Sequence, residues 1–163
     1  MHYFAYGSNM SLARLCARVP GARPLGRFRL AGHRLCFHKV GRDGSGKCDA
    51  AETGNPADGV HGVVFALPPG GKARLDEVEG RGQGYGDKWV WVEDAGGRRW
   101  RAFTYYATRR DPGLRPYCWY LHHVLVGARE AALPADYIGA LEAVACRPDP
   151  DPGRNAEEGA IYR

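Results

Sequence analysis

Tyr3-Phe4-Ala5-Tyr6-Gly7-Ser8-Asn9 is the stretch on which the reading of this chain turns. The run Tyr3 to Tyr6 is apolar and aromatic, the composition of a buried strand. It stops at Gly7. Ser8 and Asn9 are short polar residues that favour turns and helix N-caps, and Leu12, Leu15 and Cys16 then recur at helical spacing. The order is strand, tight glycine turn, helix start. That arrangement aims backbone N–H groups at one spot and backs them with the positive end of a helix. Such a spot suits a carboxylate, a phosphate or a developing oxyanion. An ordinary turn with a capping serine gives the same pattern, so the stretch needs a second signal elsewhere in the chain.

Outward from it, the first helix is expected to end near Val19-Pro20-Gly21. Pro24 to Val40 reads as one long bent strand or two, Cys48 to Thr53 as a short strand, and Val60 to Leu67 as the best buried strand of the chain. Lys72 to Gly80 is rich in helix formers and closed by glycine, a brief helix with a C-terminal stop. Arg81 to Tyr85 reads as a flexible link. Lys88 to Glu93 and Arg98 to Ala107 alternate as strands of a hairpin. Tyr117 to Glu130 carries an apolar helical face, and Leu133-Pro134 opens a helix through Val144 with proline at an early position. Arg147 to Gly153 is rich in Pro and Asp, and Asn155 to Arg163 forms a last short helix or strand. Strands in the middle and helices at the end predict an α+β domain: a curved, mostly antiparallel sheet or small mixed β-barrel flanked by helices.

At 163 residues, the chain is expected to be a single domain over residues 1–163. Hydrophobic residues make up 44% and charged residues 25%, ordinary for a globular protein. No apolar run is long enough to span a bilayer, and Met1-His2-Tyr3 enters the first strand with no basic leader. The five cysteines, Cys16, Cys36, Cys48, Cys118 and Cys146, show neither CxxC pairing nor metal-ligand spacing. They read as free thiols of a cytoplasmic protein. The formal charge is +5, but the basic residues are scattered and no nucleic-acid motif accompanies them. The chain is therefore read as binding neither nucleic acid nor membrane. The aromatic residues Trp89, Trp91, Trp100, Tyr105 and Tyr106 read as sheet packing, and His122-His123 as one exposed and one packed histidine.

The second signal is Leu75-Asp76-Glu77-Val78-Glu79-Gly80, with three carboxylates in four positions. On a helix, Leu75, Val78 and Glu79 share a face while Asp76 and Glu77 fall elsewhere. Glu79 is the carboxylate nearest the apolar side. Aimed inward, it loses solvation and its pKa rises, which is how a glutamate becomes an acid or base near neutrality. A solvated acidic helix end would look the same.

Together these stretches resemble the γ-glutamylcyclotransferase family. The likeness takes in Tyr3 to Asn9, the strand Gly59 to Phe65, the acidic helix, Tyr85 after it, and Trp119-Tyr120 before the C-terminal helix. Asn9, where glutathione-specific relatives carry Leu, leans towards the branch acting on γ-glutamyl amino acids and amines. The resemblance implies a small barrel with flanking helices and a reaction in which a γ-glutamyl amide cyclises to 5-oxoproline and frees an amine. It assigns the acid/base role to Glu79, the substrate cradle to Tyr3, Phe4, Ala5, Tyr6, Gly7, Ser8 and Asn9, and further substrate contacts to Tyr85 and Tyr120. It implies a small-molecule substrate, no metal and no cofactor, and leaves monomer and homodimer both open. Loops Gly41–Gly46 and Asp111–Tyr117 are expected to meet the leaving group, and the Arg147–Arg163 tail to cover or border the site. A non-catalytic metabolite-binding module on the same scaffold is the competing reading, with a basic nucleic-acid-binding barrel behind it.

Overall fold

A computed structural model describes residues 1–163. Seven strands and five α-helices follow one another in the chain. Strand β1 (His2–Ala5) leads through a single 3-10 turn, Ser8–Met10, into α1 (Leu12–Arg18). Then come β2 (Arg23–Ala31), β3 (His33–Val40), β4 (Gly46–Glu52), β5 (Gly59–Ala66) and α2 (Gly71–Glu79). The hairpin β6 (Tyr85–Glu93) and β7 (Arg99–Ala107) precedes α3 (Cys118–Glu130), α4 (Ala135–Glu142) and α5 (Pro152–Ala160).

Five strands close into a barrel in the order β1-β5-β2-β6-β7. Every pairing is antiparallel except the seam, where Tyr3 of β1 meets Phe103 of β7 in parallel. The small, mostly antiparallel barrel flanked by helices is thus present. Its core holds Phe4, Leu15, Val60, Val64, Phe65, Leu75, Val92, Phe103 and Val124, all essentially inaccessible. Closure removes the open sheet edges that would otherwise need protection.

Strands β3 and β4 stand apart as a two-stranded ribbon. Asp49, fully buried in β4, ties the ribbon to the barrel by accepting the Ala107 N–H of β7 at 2.8 Å. His38 Nε2 lies 2.6 Å from the other Asp49 oxygen. A buried carboxylate is stable only with such partners, so the ribbon has one docking position. That position brings Cys48 against Gly7, just past the end of β1.

Several expectations need correction. The residues after Gly7 do not start α1 directly. A 3-10 turn intervenes, and the cap is Ser11, whose Oγ accepts the Arg14 N–H. The Arg81–Tyr85 link is a tight turn, with the Gly82 N–H bonded to the Tyr85 carbonyl at 2.8 Å, and β6 already starts at Tyr85. Pro134 precedes α4 as its N-cap rather than sitting inside it. Trp89 and Trp91 are about half exposed, at 49% and 55%, so they lie on the barrel's outer surface rather than in its packing. The cysteines are not all free: Cys118 and Cys146 form a disulfide that ties the start of α3 to the segment after α4, leaving Cys16, Cys36 and Cys48 as thiols. The cytoplasmic reading loses the support it drew from five unpaired thiols. No helix is long and apolar enough to cross a membrane.

Candidate active site

Where β1 ends, a cavity of about 30 Å³ opens, room for about one water molecule. Tyr3, Tyr6, Gly7, Ser8, Asn9, Glu79, Tyr85 and Tyr120 line it, joined by Cys48 and Tyr105. Eight of the ten site residues expected from sequence therefore meet in one place. Phe4 and Ala5 do not. Both are completely buried in the core, where they anchor the strand that carries Tyr3 and Tyr6.

Glu79 reaches the cavity because α2 turns a line of residues four apart towards the barrel: Gly71 and Leu75 are buried, and Glu79, one turn on, is partly buried. Val78, expected on the same face, is 41% exposed. The helix stops at Gly80 in the left-handed conformation, φ +67°, which any residue with a Cβ adopts only under strain. Asp76, expected on the far side, instead turns towards the barrel and accepts from the Tyr105 hydroxyl at 2.7 Å and from Lys72 Nζ at 2.9 Å.

The environment of Glu79 is polar rather than the apolar face expected. Its Oε1 accepts from Asn9 Nδ2 at 2.8 Å and from Arg18 Nη1 at 2.9 Å. Arg18 Nη1 also reaches Asn9 Oδ1 at 3.0 Å, and Asn9 Nδ2 lies 3.2 Å from the Tyr3 hydroxyl. Both donors converge on Oε1, so Oε2 keeps its lone pairs free. Arg18 is the site residue that sequence reasoning missed: it sits at the end of α1, and only the fold brings it to a carboxylate 61 positions away.

The remaining groups hold their protons. Burial drives the phenols of Tyr3, Tyr6, Tyr85, Tyr105 and Tyr120 far above their ordinary range. It pushes the Cys48 thiol up to about 12. Several hydroxyls are also committed: Tyr85 donates to the Cys48 carbonyl at 2.8 Å, and Tyr120 accepts the Cys48 N–H at 2.9 Å. The Gly7 N–H makes no hydrogen bond within the protein. Ser8 Oγ accepts from Arg14 Nε at 3.2 Å, and no histidine lines the cavity to activate it as a nucleophile.

Outside the cavity lies a larger cleft of about 250 Å³ that shares Ser8, Glu79, Tyr85 and Tyr120 with it. Gly41, Arg42 and Asp43 form part of its wall, as expected of the Gly41–Gly46 loop, while no residue of Asp111–Tyr117 takes part. The tail borders the cleft through Arg154 and Glu158 of α5. Glu158 pairs with Arg14 and lies 2.7 Å from Nε2 of the buried His123, whose Nδ1 faces the Tyr162 hydroxyl. His123 is thus a packed, partner-bonded histidine holding the tail. No group of three or more His, Cys, Asp or Glu side chains is arranged to hold a metal ion.

Comparison with known proteins bears on what this arrangement does. Residues 59–141 match the model of the AIG2-like family. The chain is 30% identical over 164 residues to γ-glutamylcyclotransferase of Homo sapiens, covering 96% of this chain and 84% of that protein. It is 29% identical, with the same coverage, to the γ-glutamylcyclotransferase of Bos taurus. A solved structure described as γ-glutamyl cyclotransferase superposes with a TM-score of 0.89 at 27% identity, covering 99% of this chain and 98% of that one.

Proposed function

The chain belongs to the AIG2-like γ-glutamylcyclotransferase family and is an enzyme of that kind, and we propose that it converts a γ-glutamyl amino acid or amine to 5-oxoproline and the free amine, with Glu79 as acid and base. One observation supports the role of Glu79 above others. Among the groups lining the inner cavity it is the sole carboxylate, and every other titratable group there is a phenol or thiol held in its protonated form. A proton leaving the substrate has one acceptor, Oε2.

The chemistry needs little more. The substrate's own α-nitrogen is the nucleophile, so the protein must chiefly orient it against the γ-carbonyl carbon. The α-ammonium releases a proton to Glu79, the amine attacks, and the carbonyl oxygen becomes an oxyanion. The unbonded Gly7 N–H and the Tyr3 hydroxyl are donors at the cavity wall suited to that charge. One good donor of this type is worth on the order of a hundredfold in rate. The ring nitrogen then loses its second proton to water. The carbon–nitrogen bond to the leaving group breaks as Glu79 protonates the departing amine, which takes up its last proton from water. Arg18 and Asn9 hold Oε1 so that Oε2 keeps one direction throughout. The cavity accepts only the reacting end of the substrate, and the leaving group extends into the outer cleft.

The test is a mass-spectrometric assay for 5-oxoproline with γ-glutamyl dipeptides, γ-glutamyl amines and glutathione. Release from γ-glutamyl amino acids or amines is the expected result. A folded protein that releases none from the whole panel, yet binds 5-oxoproline by calorimetry, would be a binding module instead.

A further inference from the structure

The outer cleft carries more positive charge than the reaction needs. Six cations line it, Arg14, Arg18, Lys39, Arg42, Lys47 and Arg154. Four are neutralised: Arg14 by Glu158, Arg18 by Glu79, Lys47 by Asp43 and Arg154 by Asp149. Lys39 and Arg42 have no carboxylate within 4.0 Å and no hydrogen-bond partner in the protein.

Lys39 is the more telling of the two. It is only 6% exposed, yet its ammonium meets no anion and rests 4.3 Å from the centre of the Tyr85 ring. Burying an ammonium without a counter-charge is unfavourable, and an aromatic face recovers only part of the loss. Burial and the neighbouring charges of Lys47 and Arg42 accordingly depress its pKa, against the pull of Glu79. Arg42 approaches the end of α2: its Nη2 sits 2.6 Å from the place where a side chain on Gly80, next to Glu79, would begin. Two unpaired cations thus share the outer cleft with Glu79. They come from separate points, one from β3 and one from the following loop. Each lacks an anion, and a ligand bearing two carboxylates supplies one to each.

We propose that the outer cleft is a subsite for a leaving amine that bears two carboxylates, an acidic amino acid, with Lys39 and Arg42 as its specificity-determining residues. The inference rests on the cyclotransferase reading and names its substrate class. It assigns the selectivity to residues outside the catalytic cavity.

The experiment compares kcat/KM for 5-oxoproline release from γ-glutamyl-glutamate, γ-glutamyl-alanine and γ-glutamyl-methylamide. The expected order is dicarboxylate, then monocarboxylate, then uncharged amide, with about tenfold between the first two, carried in KM. The margin should shrink at high salt. Arg42→Gln, at an exposed position that the fold does not depend on, should bring the dicarboxylate-to-methylamide ratio down by about the same factor, and Lys39→Met should do likewise. Equal kcat/KM for the glutamate and alanine substrates, with robust turnover of both, would overturn the subsite and leave the reaction standing. No turnover of any of the three by folded protein would overturn the reaction reading, and the subsite with it.

Discussion

Replacing Glu79 by Gln separates chemistry from architecture at a single atom. Glutamine keeps a carbonyl oxygen in the place of Oε1, where it can still accept from Asn9 Nδ2 and Arg18 Nη1. Its amide nitrogen takes the place of Oε2 and presents two protons where the carboxylate presented lone pairs. The structural cost is small. The Arg18–Glu79 pair is partly solvated, with side chains 24% and 15% exposed, so losing its charge costs about 1 kcal/mol or less. In a domain of this size that lowers the melting temperature by roughly 2–4 °C. The catalytic cost is far larger. General acid–base catalysis contributes about 10²–10⁴ in rate, which is roughly 2.7–5.4 kcal/mol of barrier. The expected result is a kcat at least about a hundredfold lower, a KM within a few-fold of the parent, and a nearly unchanged thermal melt. Rates are read as 5-oxoproline released, melts by circular dichroism. A variant that turns over within about threefold of the parent would refute the argument, since no other group on the cavity wall can take the proton.

Other perturbations probe the frame around that carboxylate. A Cβ on Gly7 would come within 3.0 Å of Cys48 Cβ and 3.3 Å of the Tyr120 hydroxyl, so Gly7→Val should cost about 1–3 kcal/mol in a urea titration through overpacking and depress turnover as well; full stability would show that the cradle yields. Cys118→Ser opens a link spanning 28 residues, with an expected loss of about 3–4 kcal/mol by loop-closure entropy, and reduction of the parent should reproduce it. Acid should weaken the tail in two stages. Burial holds the His123 imidazole below its ordinary 6.5, so as pH drops below 6.5 the unfolded chain binds a proton that the folded chain refuses, and stability falls. Burial raises the Glu158 carboxyl, but the His123 hydrogen bond and the Arg14 charge outweigh it and hold it below 4.5. Its contribution is complete above 4.5 and is lost as pH falls through the lower, folded value. Urea midpoints at pH 7.5, 5.5 and 4 should therefore decline in that order, and a flat profile would contradict both assignments.

The barrel was legible because its strands announce themselves locally. Val60 to Ala66 is apolar but for His61 and Gly62 and lies between turn signals, and Lys88 to Glu93 is rich in aromatic and β-branched residues. The candidate site was legible through motif rather than physics: Tyr6 to Asn9 and Asp76 to Gly80 resemble a known pattern, and the fold brings Tyr6 to Asn9 and Glu79 to one cavity. What stayed hidden depends on long-range placement. Arg18 reads as an ordinary basic residue at a helix end until the fold sets it against Glu79. Tyr105 reads as sheet packing until its ring lines the cavity. Cys118 and Cys146 lie 28 residues apart with no spacing that marks a pair. Val78 was misplaced for a more local reason. Positions three and four apart straddle a helix face, and in a helix of only nine residues the docking of Gly71 and Leu75 selects the four-residue line and leaves Val78 in solvent.

The same docking answers a question that the acidic stretch poses. Asp76, Glu77 and Glu79 are chemically near-equivalent, and a site built for one proton acceptor works best with one. A second free carboxylate on the cavity would be a rival proton acceptor, able to hold the proton that must be returned to the leaving amine. The helix sorts the three by direction. Glu77 points into solvent. Asp76 turns inward but is fully engaged, with Lys72 Nζ at 2.9 Å and 3.0 Å from its two oxygens and the Tyr105 hydroxyl at 2.7 Å. Lys72 is in turn shared with Asp87 of β6 at 3.0 Å, and Arg81 Nε bonds Asp87 at 2.6 Å, so two cations balance the two aspartates and Asp76 sits in a network whose charge is already balanced. Glu79 alone keeps an unpartnered oxygen on the cavity. Its own cation, Arg18, is placed on the far oxygen, where it steadies the carboxylate without covering the lone pairs that the reaction uses. On the proposed reading the economy of the site follows from this division: one helix supplies a carboxylate to bind the barrel and another to move the proton, and a turn of backbone keeps them from competing.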